Sequence, residues 1–281
     1  MKETKNTLSW HLMEFDSIKE FCDYIQNTPT NKAFEKKYLQ SQEEDSYMTN
    51  WSGSESFKEA LDMCIHGWTF GAKELNDKFK LAEMNKDTQV QMTYKNILSI
   101  CGYQAIVPLY LQGVPNNMVN KKMVPIKQKV ITINKALSCS ASVGAETLKQ
   151  ESIKCFQIIK KIEASGIRVN LNLLISTGHV CVKIRLKSAN EKLNISKLAF
   201  PLIHPSMFRR LYFRFVEVYP TIPKNFGLGS YGVVPSENDF KSELNGACGK
   251  NEILLPTLLK GSNESEIQKL SVTELIERLN R

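Results

Sequence analysis

The sequence predicts an α/β fold, and three patterns between residues 129 and 186 lead to that prediction. An apolar stretch from Val130 to Leu137 lacks polar alternation, which is typical of a strand covered on both faces. Residues Thr147 to Ala164 place apolar side chains on one helical face and lysines on the other. Alternation of apolar and polar residues over 167–175 and 180–186 then indicates a hairpin. Strand, crossover helix and hairpin in this order describe a β-α-β-β unit.

The composition is that of an ordinary folded protein with a basic bias. The chain has 281 residues and a formal net charge of +8, from 37 Lys and Arg against 29 Asp and Glu. Its apolar runs are far shorter than the roughly 20 residues that span a bilayer. Met1 to Trp10 lack the apolar core of a secretory signal. We therefore expect a cytoplasmic protein without a membrane segment.

Cysteine and histidine usage gives no local sign of a metal site. The seven cysteines are an odd number, lie far apart and include no C-x-x-C pair, which argues against zinc and against a disulfide framework. The four histidines are equally scattered, and none has a carboxylate or cysteine at a useful spacing. Local motifs therefore predict no metal, no cofactor and no catalytic residue.

The first half of the chain is predicted to be mainly helical. Residues 1–50 are polar and carry one helix pattern, Ser17 to Gln26, so we interpret them as an N-terminal extension. The capping-box pattern Ser56-x-x-Glu59 begins a second helix, whose apolar residues follow at helical spacing.

The sequence then becomes irregular. A helical segment, Lys73 to Met84, is followed from Tyr94 to Val119 by short apolar runs that glycines and prolines interrupt, which favours turns and irregular strands. Charged residues and Pro125 precede the first strong strand and indicate a boundary. We expect a helical and irregular region over residues 51–125 and an α/β core over residues 126–281.

The hairpin is expected at an edge of the sheet. Its polar face carries Arg168, Lys183 and Arg185, so this part of the sheet is predicted to be solvated on one side. Gly166 is the expected end of the helix that precedes it.

Further elements follow the hairpin. The spacing of apolar residues predicts a helix over Ser206 to Tyr219, with its aromatic residues facing inward. Glu252 to Leu259 is predicted to form a short strand. Ser271-x-x-Glu274 begins a terminal helix.

The order of these elements resembles the first half of a von Willebrand factor A domain, within the Rossmann-like α/β class. In that family the first strand ends in D-x-S-x-S, which holds a divalent metal, and the matching residues here are Ala136-Leu-Ser138-Cys-Ser140. Because the aspartate is missing, the strongest oxygen ligand is absent and no metal is expected. Ser138, Ser140 and Ser142 remain candidates for a loop that binds a ligand at the strand end, or for capping of the crossover helix.

A second motif is a literal G-x-G-x-x-G at Gly227 to Gly232. Prolines and asparagine flank it where a dinucleotide fingerprint needs a strand and a helix, so a flexible loop is favoured over phosphate binding. An enzymatic interpretation would require the loop serines to meet His179 or His204 in a pocket.

A basic and aromatic helix face provides the candidate nucleic-acid surface. Arg209, Arg210 and Arg214 are expected to face outward, with Phe213 beside them and Lys197 upstream. Arginines bind phosphate and an exposed aromatic ring can stack on a base. The alternative is a solvated surface without a ligand.

Three segments together resemble an uncharacterised family found in bacteriophages and other mobile elements. They are Trp51-Ser-Gly-Ser-Glu-Ser-Phe-Lys-Glu-Ala60 with Gly67-Trp68, Val107-Pro-Leu-Tyr-Leu-Gln-Gly-Val-Pro-Asn-Asn-Met118, and His204-Pro-Ser-Met-Phe-Arg-Arg210. The resemblance spans roughly residues 50 to 235 and implies an origin rather than an activity.

These observations predict an oligomeric phage or prophage interaction protein without catalytic activity, which acts through contacts with a host or phage protein in the infected cell or particle. Nucleic-acid binding is the alternative. Trp51, Phe57, Trp68 and the loop Gly113 to Met118 are expected to form one cluster that joins the helical region to the sheet. The rival interpretation makes Trp51 and Trp68 an exposed partner surface.

Overall fold

The computed structural model describes residues 2–5, 11–34, 39–80, 92–125, 129–138, 145–177, 180–220 and 252–255. The helices are α1 Ile18–Asn27, α2 Ser46–Ser52, α3 Phe57–His66, α4 Thr69–Lys80, α5 Val107–Leu111, α6 Ala145–Ala164, α7 Ile195–Ile203 and α8 Phe213–Val218. A 3-10 turn, Gln40–Gln42, and a π-helical segment, Met207–Tyr212, add to them. The strands are β1 Lys2–Lys5, β2 His11–Phe15, β3 Met92–Ser99, β4 Gln104–Ala105, β5 Met118–Pro125, β6 Val130–Ala136, β7 Arg168–Thr177, β8 Val180–Lys187 and β9 Glu252–Leu255.

The strands form two sheets, of which the larger confirms the predicted α/β class. Its order is β1-β2-β8-β7-β6-β9, and β6 is parallel to both β7 and β9. Val130 lies opposite Arg168, so the first predicted strand and the strand after the crossover helix are parallel neighbours, as expected. The second sheet has three antiparallel strands in the order β3-β5-β4.

The hairpin β7-β8 lies inside the larger sheet, so its predicted place at an edge is wrong. β2 pairs in parallel with β8, with His11 opposite Val180, and β1 continues the sheet beyond β2. The edge prediction failed because it took a solvated sheet face for a free sheet edge, although a central strand can also be polar on one face.

Alternation along the central strands separates a face that packs against helices from an opposite face that is mostly polar but includes a small buried apolar cluster of Ala136, Leu174 and Cys181. The helices α1, α3, α4, α6, α7 and α8 pack on one face and share a single apolar core with it. The sheet contributes to this core Met13, Phe15, Ile131, Ile133, Val169, Leu171, Leu173, Ile175, Val180, Val182 and Ile184. Side chains at the intervening positions point to the opposite face, as the period of two in a strand requires.

The helix predictions hold where capping signals supported them. The Ser17 and Ser56 hydroxyls cap α1 and α3 by accepting from the backbone N–H three residues later, both at 3.1 Å. α6 buries its predicted apolar face, and Gly166 has a φ of +85°, a conformation that suits glycine after a helix.

The predicted N-terminal extension is wrong, since residues 11–27 are part of the core. β2 is a strand of the larger sheet, and α1 buries Phe21, Cys22 and Ile25 completely. The rings of Phe15 and Phe21 meet edge to face, with their centroids 5.5 Å apart. The polar sequence around these residues concealed a few large apolar side chains on one face.

Some predicted elements fall outside the described residues. The strand prediction over Glu252 to Leu259 is confirmed for β9, while residues 256–259 lie outside. The Gly227 to Gly232 loop and the terminal helix after Ser271 also lie outside.

Three arginines join the N-terminal third to the helical segment Met207–Val218, and the prediction that they face solvent is wrong. Arg209, Arg210 and Arg214 are all buried. The guanidinium of Arg209 donates to the carbonyl oxygen of Trp51 and lies 4.5 Å from the centre of that indole ring. Arg214 donates to the carbonyl oxygens of Ile25 and Thr28 at the end of α1.

Arg210 is fully buried and makes the largest set of contacts. Its Nε donates to the Ser52 hydroxyl at 3.0 Å. Its two terminal nitrogens donate to four carbonyl oxygens, those of Ser41, Glu43, Ser54 and Glu55, at 2.8 to 3.3 Å. One side chain therefore satisfies backbone acceptors on both sides of α2 and fixes residues 41–55 against the core.

Arg210→Met should lower the free energy of unfolding by about 3 to 5 kcal/mol, because the variant keeps the volume but leaves several buried carbonyl groups without a donor. Arg185→Met is the matched control. Arg185 is half exposed and pairs with an exposed Asp16 at 3.2 Å, so its loss should change stability by no more than about 0.5 kcal/mol. Urea unfolding measures both. Equal losses in the two variants would contradict a special role for Arg210.

Candidate functional site

The candidate functional site is the module formed by residues 92–125, which contains the three-stranded sheet and the short helix α5. β3 and β5 pair over their whole length, with Tyr94 opposite Met123 and Leu98 opposite Val119. The N–H of Ile106 donates to the carbonyl oxygen of Asn117 at 2.7 Å and closes the loop that carries α5. The sequence predicted irregular strands here, and the strands are more regular than expected.

Most of the large apolar side chains that the described residues expose lie on this module. Of thirteen such residues, nine belong to it, although it contributes only 34 positions. They are Tyr94, Ile97, Leu98, Ile100, Tyr103, Val107, Tyr110, Leu111 and Met123. Such a concentration on a water-facing surface marks an interaction site more often than scattered single residues do.

The helix α5 presents three of these side chains together. Val107, Tyr110 and Leu111 lie at positions i, i+3 and i+4, which share one helical face. Their exposed fractions are 61%, 67% and 77%. Gly113 follows the helix with a φ of +71°, a left-handed conformation that favours glycine.

The module is also basic. It contains three lysines, Lys95, Lys121 and Lys122, and neither Asp nor Glu. The Nζ of Lys121 lies 5.4 Å from the centre of the Tyr103 ring, and the hydroxyl of that tyrosine contacts Asn96 Oδ1 at 3.2 Å. Its surface therefore combines apolar side chains with positive charge.

The residues predicted to bind nucleic acid do not form a common surface. The three arginines are buried against backbone carbonyls, and Phe213 is buried with its ring centroid 5.9 Å from that of Trp51. Only Lys197, in the first turn of α7, is exposed. Helical periodicity predicted that these arginines face solvent. In the structure their guanidinium groups instead donate hydrogen bonds to backbone carbonyl oxygens inside the protein.

The strand-end serines have a structural role where they are described. Ser138 is buried, donates to the carbonyl oxygen of Ser176 at 2.8 Å and accepts from its N–H at 2.7 Å, so it joins the ends of β6 and β7. Ser140 and Ser142 lie outside the described residues, as does His179.

Trp51 and Trp68 are partly buried and pack against the core, as the packing interpretation expects. Trp51 contacts Arg209 and Phe213, while Trp68 meets the His204 ring edge to face at 4.6 Å between centroids. The loop Gly113 to Met118 belongs to the exposed module, and open space surrounds Gly113, so its predicted packing with the tryptophans is not observed.

The polar face of the larger sheet carries a shallow cavity of about 150 Å³. Lys183 Nζ lies 3.4 Å from Glu14 and 3.9 Å from Glu252, and Asn134 and Asn172 form a hydrogen-bonded ladder that ends on Glu252. These groups largely satisfy one another, which explains how a charged sheet face remains stable. The expected solvation of the hairpin's polar face is confirmed at Arg185, whereas Lys183 is only 21% exposed and Asn172 and Leu174 on the same face are buried.

A buried ion pair on the helix side of β6 was not predicted from the sequence. Lys135 Nζ lies 3.9 Å from Glu151 Oε2, and both side chains are almost fully buried. Burial raises the pKa of Glu151, and it raises the pKa of the adjacent Cys155 thiol to about 12, so this thiol is not a nucleophile at neutral pH.

Sequence reasoning missed the module as a surface. Two signals were nevertheless present, the absence of acidic residues over positions 92–125 and the i, i+3, i+4 spacing at Val107, Tyr110 and Leu111. Spacing alone does not distinguish a buried helical face from an exposed one, so the pattern could not show that this face lacks a cover.

Comparisons with known proteins identify a family but no activity. The chain matches the family model described as a domain of unknown function, DUF7192, over residues 3–280, and therefore belongs to that family. No curated protein and no solved structure matches it.

The described residues also limit the kinds of site. None of the helices in the described ranges has the length and apolar character needed to cross a bilayer. Within the same ranges, no group of three or more His, Cys, Asp or Glu side chains is placed to hold a metal ion.

His204 should make stability depend on pH. Burial lowers its pKa from 6.5 to about 4, and its Nδ1 accepts from the N–H of Ser206 at 3.2 Å. Because the unfolded chain binds this proton more readily, stability is complete above about pH 6.5 and falls by about 3 kcal/mol as the pH drops to 4.

His204→Asn keeps a hydrogen-bond acceptor and should flatten the dependence over this window. His66→Asn, at an exposed histidine, should retain it. Urea unfolding at several pH values measures the slope, and an unchanged slope in His204→Asn would contradict the assignment.

Proposed function

We propose that this member of the DUF7192 family acts through protein-protein contacts made by the module of residues 92–125, without a catalytic step. The observation that supports this proposal most strongly is the concentration of nine large exposed apolar side chains on the module. Burying apolar surface contributes about 25 cal/mol for each Å² removed from water, so a partner that covers these side chains gains substantial binding energy.

The exposed side chains are not needed for the core. The larger sheet and its helices already fill a continuous apolar core without the module. A side chain such as Leu111, which is 77% exposed, contributes little to the free energy of folding and lowers the solubility of the protein. Its presence is explained if the surface is covered part of the time by another molecule.

Charge indicates what kind of protein would fit. The three lysines of the module and its lack of acidic residues favour a partner whose rim is acidic. Opposite charges at the rim accelerate association and suppress wrong partners more than they add affinity. The proposed partner is therefore a protein surface with an apolar centre and acidic margins.

Nucleic-acid binding is the less favoured function. The arginines expected to carry it are buried, and six of the nine exposed apolar side chains on the module are aliphatic: Ile97, Leu98, Ile100, Val107, Leu111 and Met123. Binding of single-stranded nucleic acid relies on aromatic stacking and backbone charge, for which aliphatic side chains offer little.

The resemblance to phage and mobile-element proteins suggests the setting. The proposed contact would then be made in the cytoplasm of an infected cell or in a particle, with a host or phage protein.

Tyr110→Ser/Leu111→Ser should weaken this contact while leaving the fold intact. Both side chains are exposed, so stability should change by no more than about 0.5 kcal/mol for each substitution. Loss of two central apolar residues of an interface should weaken binding by about 30-fold or more. A partner captured with the intact chain is purified, and its dissociation constant is measured by calorimetry for each variant.

Tyr47→Ser/Ile65→Ser is the matched control, since these exposed apolar residues lie outside the module. It should bind the partner as the unsubstituted chain does. Equal affinity of the Tyr110→Ser/Leu111→Ser variant and the unsubstituted chain would contradict the proposal. Retention of a nucleic acid, released by nuclease or added salt, would favour the alternative.

A further inference from the structure

One side of the module is an open strand edge. β3 pairs with β5 through eight residue pairs, and it lies at the end of the order β3-β5-β4. Within the described part of the chain no strand pairs with its other side. An exposed edge of this length presents unpaired N–H and C=O groups that can bind another strand.

The residues of β3 match in character about Asn96 at two of three flanking pairs. Tyr94 and Leu98 are both large apolar residues, and Thr93 and Ser99 both carry a hydroxyl group. Lys95 and Ile97, directly beside Asn96, differ in character. In an antiparallel pair of copies related by a two-fold axis at Asn96, the two matching pairs therefore meet their like.

We infer that β3 pairs with β3 of a second copy of this chain, antiparallel, about a two-fold axis at Asn96. This inference goes beyond the proposed function, because it concerns the open edge of β3 and a second copy of the chain rather than the face of α5 and its acidic partner. The two small sheets then become one six-stranded antiparallel sheet, and the edge of β3 is covered.

The pairing places suitable side chains opposite one another. Tyr94 of each copy faces Leu98 of the other on one face of the sheet, and aromatic-aliphatic pairs of this kind stabilise a sheet. On the other face, Lys95 of each copy lies opposite Ile97, so the two lysines are diagonal rather than directly opposed. Shifting the register by two residues would place Tyr94 opposite Asn96 and lose this match.

The exposed face of α5 does not take part in this pairing and remains available to the partner protein of the proposed function. Val107, Tyr110 and Leu111 lie on the helix, outside β3, so self-pairing and partner binding use different residues of the module. Substitutions can therefore separate the two contacts.

Disulfide trapping tests the register directly. In the proposed dimer Asn96 faces its own copy at a Cα separation of about 4.5 to 5.5 Å, within the range that a disulfide spans. Lys95 lies roughly 7 to 8 Å from its own copy, beyond that range. The experiment uses the full chain with the exposed Cys101 replaced by Ser. Asn96→Cys should give a dimer linked through residue 96 on mild oxidation, located by peptide mass spectrometry.

Lys95→Cys is the matched control and should remain unlinked through residue 95. A link in both variants, or in neither, would overturn the inference, since the register would then be wrong or the pairing absent. Both positions are exposed, so neither substitution should prevent folding.

Charge exchange provides a second test. Leu98→Lys should reduce the dimer association constant at least tenfold, as measured by sedimentation equilibrium. Tyr94→Glu/Leu98→Lys should restore it, because each glutamate then faces a lysine of the other copy. A monomeric unsubstituted chain would overturn the inference without touching the proposed function, which depends on Tyr110 and Leu111.

Discussion

The burial of Arg210 is the interaction on which the arrangement of the N-terminal third depends. Its guanidinium group donates to one hydroxyl and four carbonyl oxygens spread over residues 41–55. A planar cation with five donors can satisfy such a set, and a lysine cannot. Arg209 and Arg214 act in the same way on α2 and on the end of α1. The helical segment Met207–Val218 thus holds the N-terminal third in place through arginine side chains that donate hydrogen bonds to its backbone carbonyl oxygens.

The described part of the chain consists of a well-packed core and an exposed module. Six helices cover one face of the larger sheet, and the opposite face combines paired charged residues with a small buried apolar cluster. The module, residues 92–125, shows the opposite distribution, with apolar side chains outside and only lysines for charge. The core therefore accounts for folding, and the module is where an external partner is proposed to bind.

The core elements were predictable because burial leaves a local pattern. The strand β6, the helix α6 and the hairpin β7-β8 each show the apolar period of their own structure. Ser17 and Ser56 marked helix starts because a capping hydroxyl lies next to the turn that it serves. These signals involve residues that are close in sequence, so they can be recognised without knowledge of the tertiary fold.

The site was less predictable because its features depend on distant segments. The partners of Arg210 lie more than 150 positions away in sequence, and four of the five are backbone carbonyl oxygens, which carry no sequence signature. Periodicity placed Arg210 in solvent for that reason. In the module, Leu111 and Tyr110 form an apolar stripe that would look the same if buried, and only the fold shows it uncovered.

Hydrogen-deuterium exchange of the full chain, alone and with its purified partner, tests the central claim most directly. The account predicts that residues 92–125 exchange more slowly in the complex, while the core strands β6 and β7 keep the same protection. Unchanged exchange over residues 92–125, together with new protection elsewhere on the chain, would contradict it.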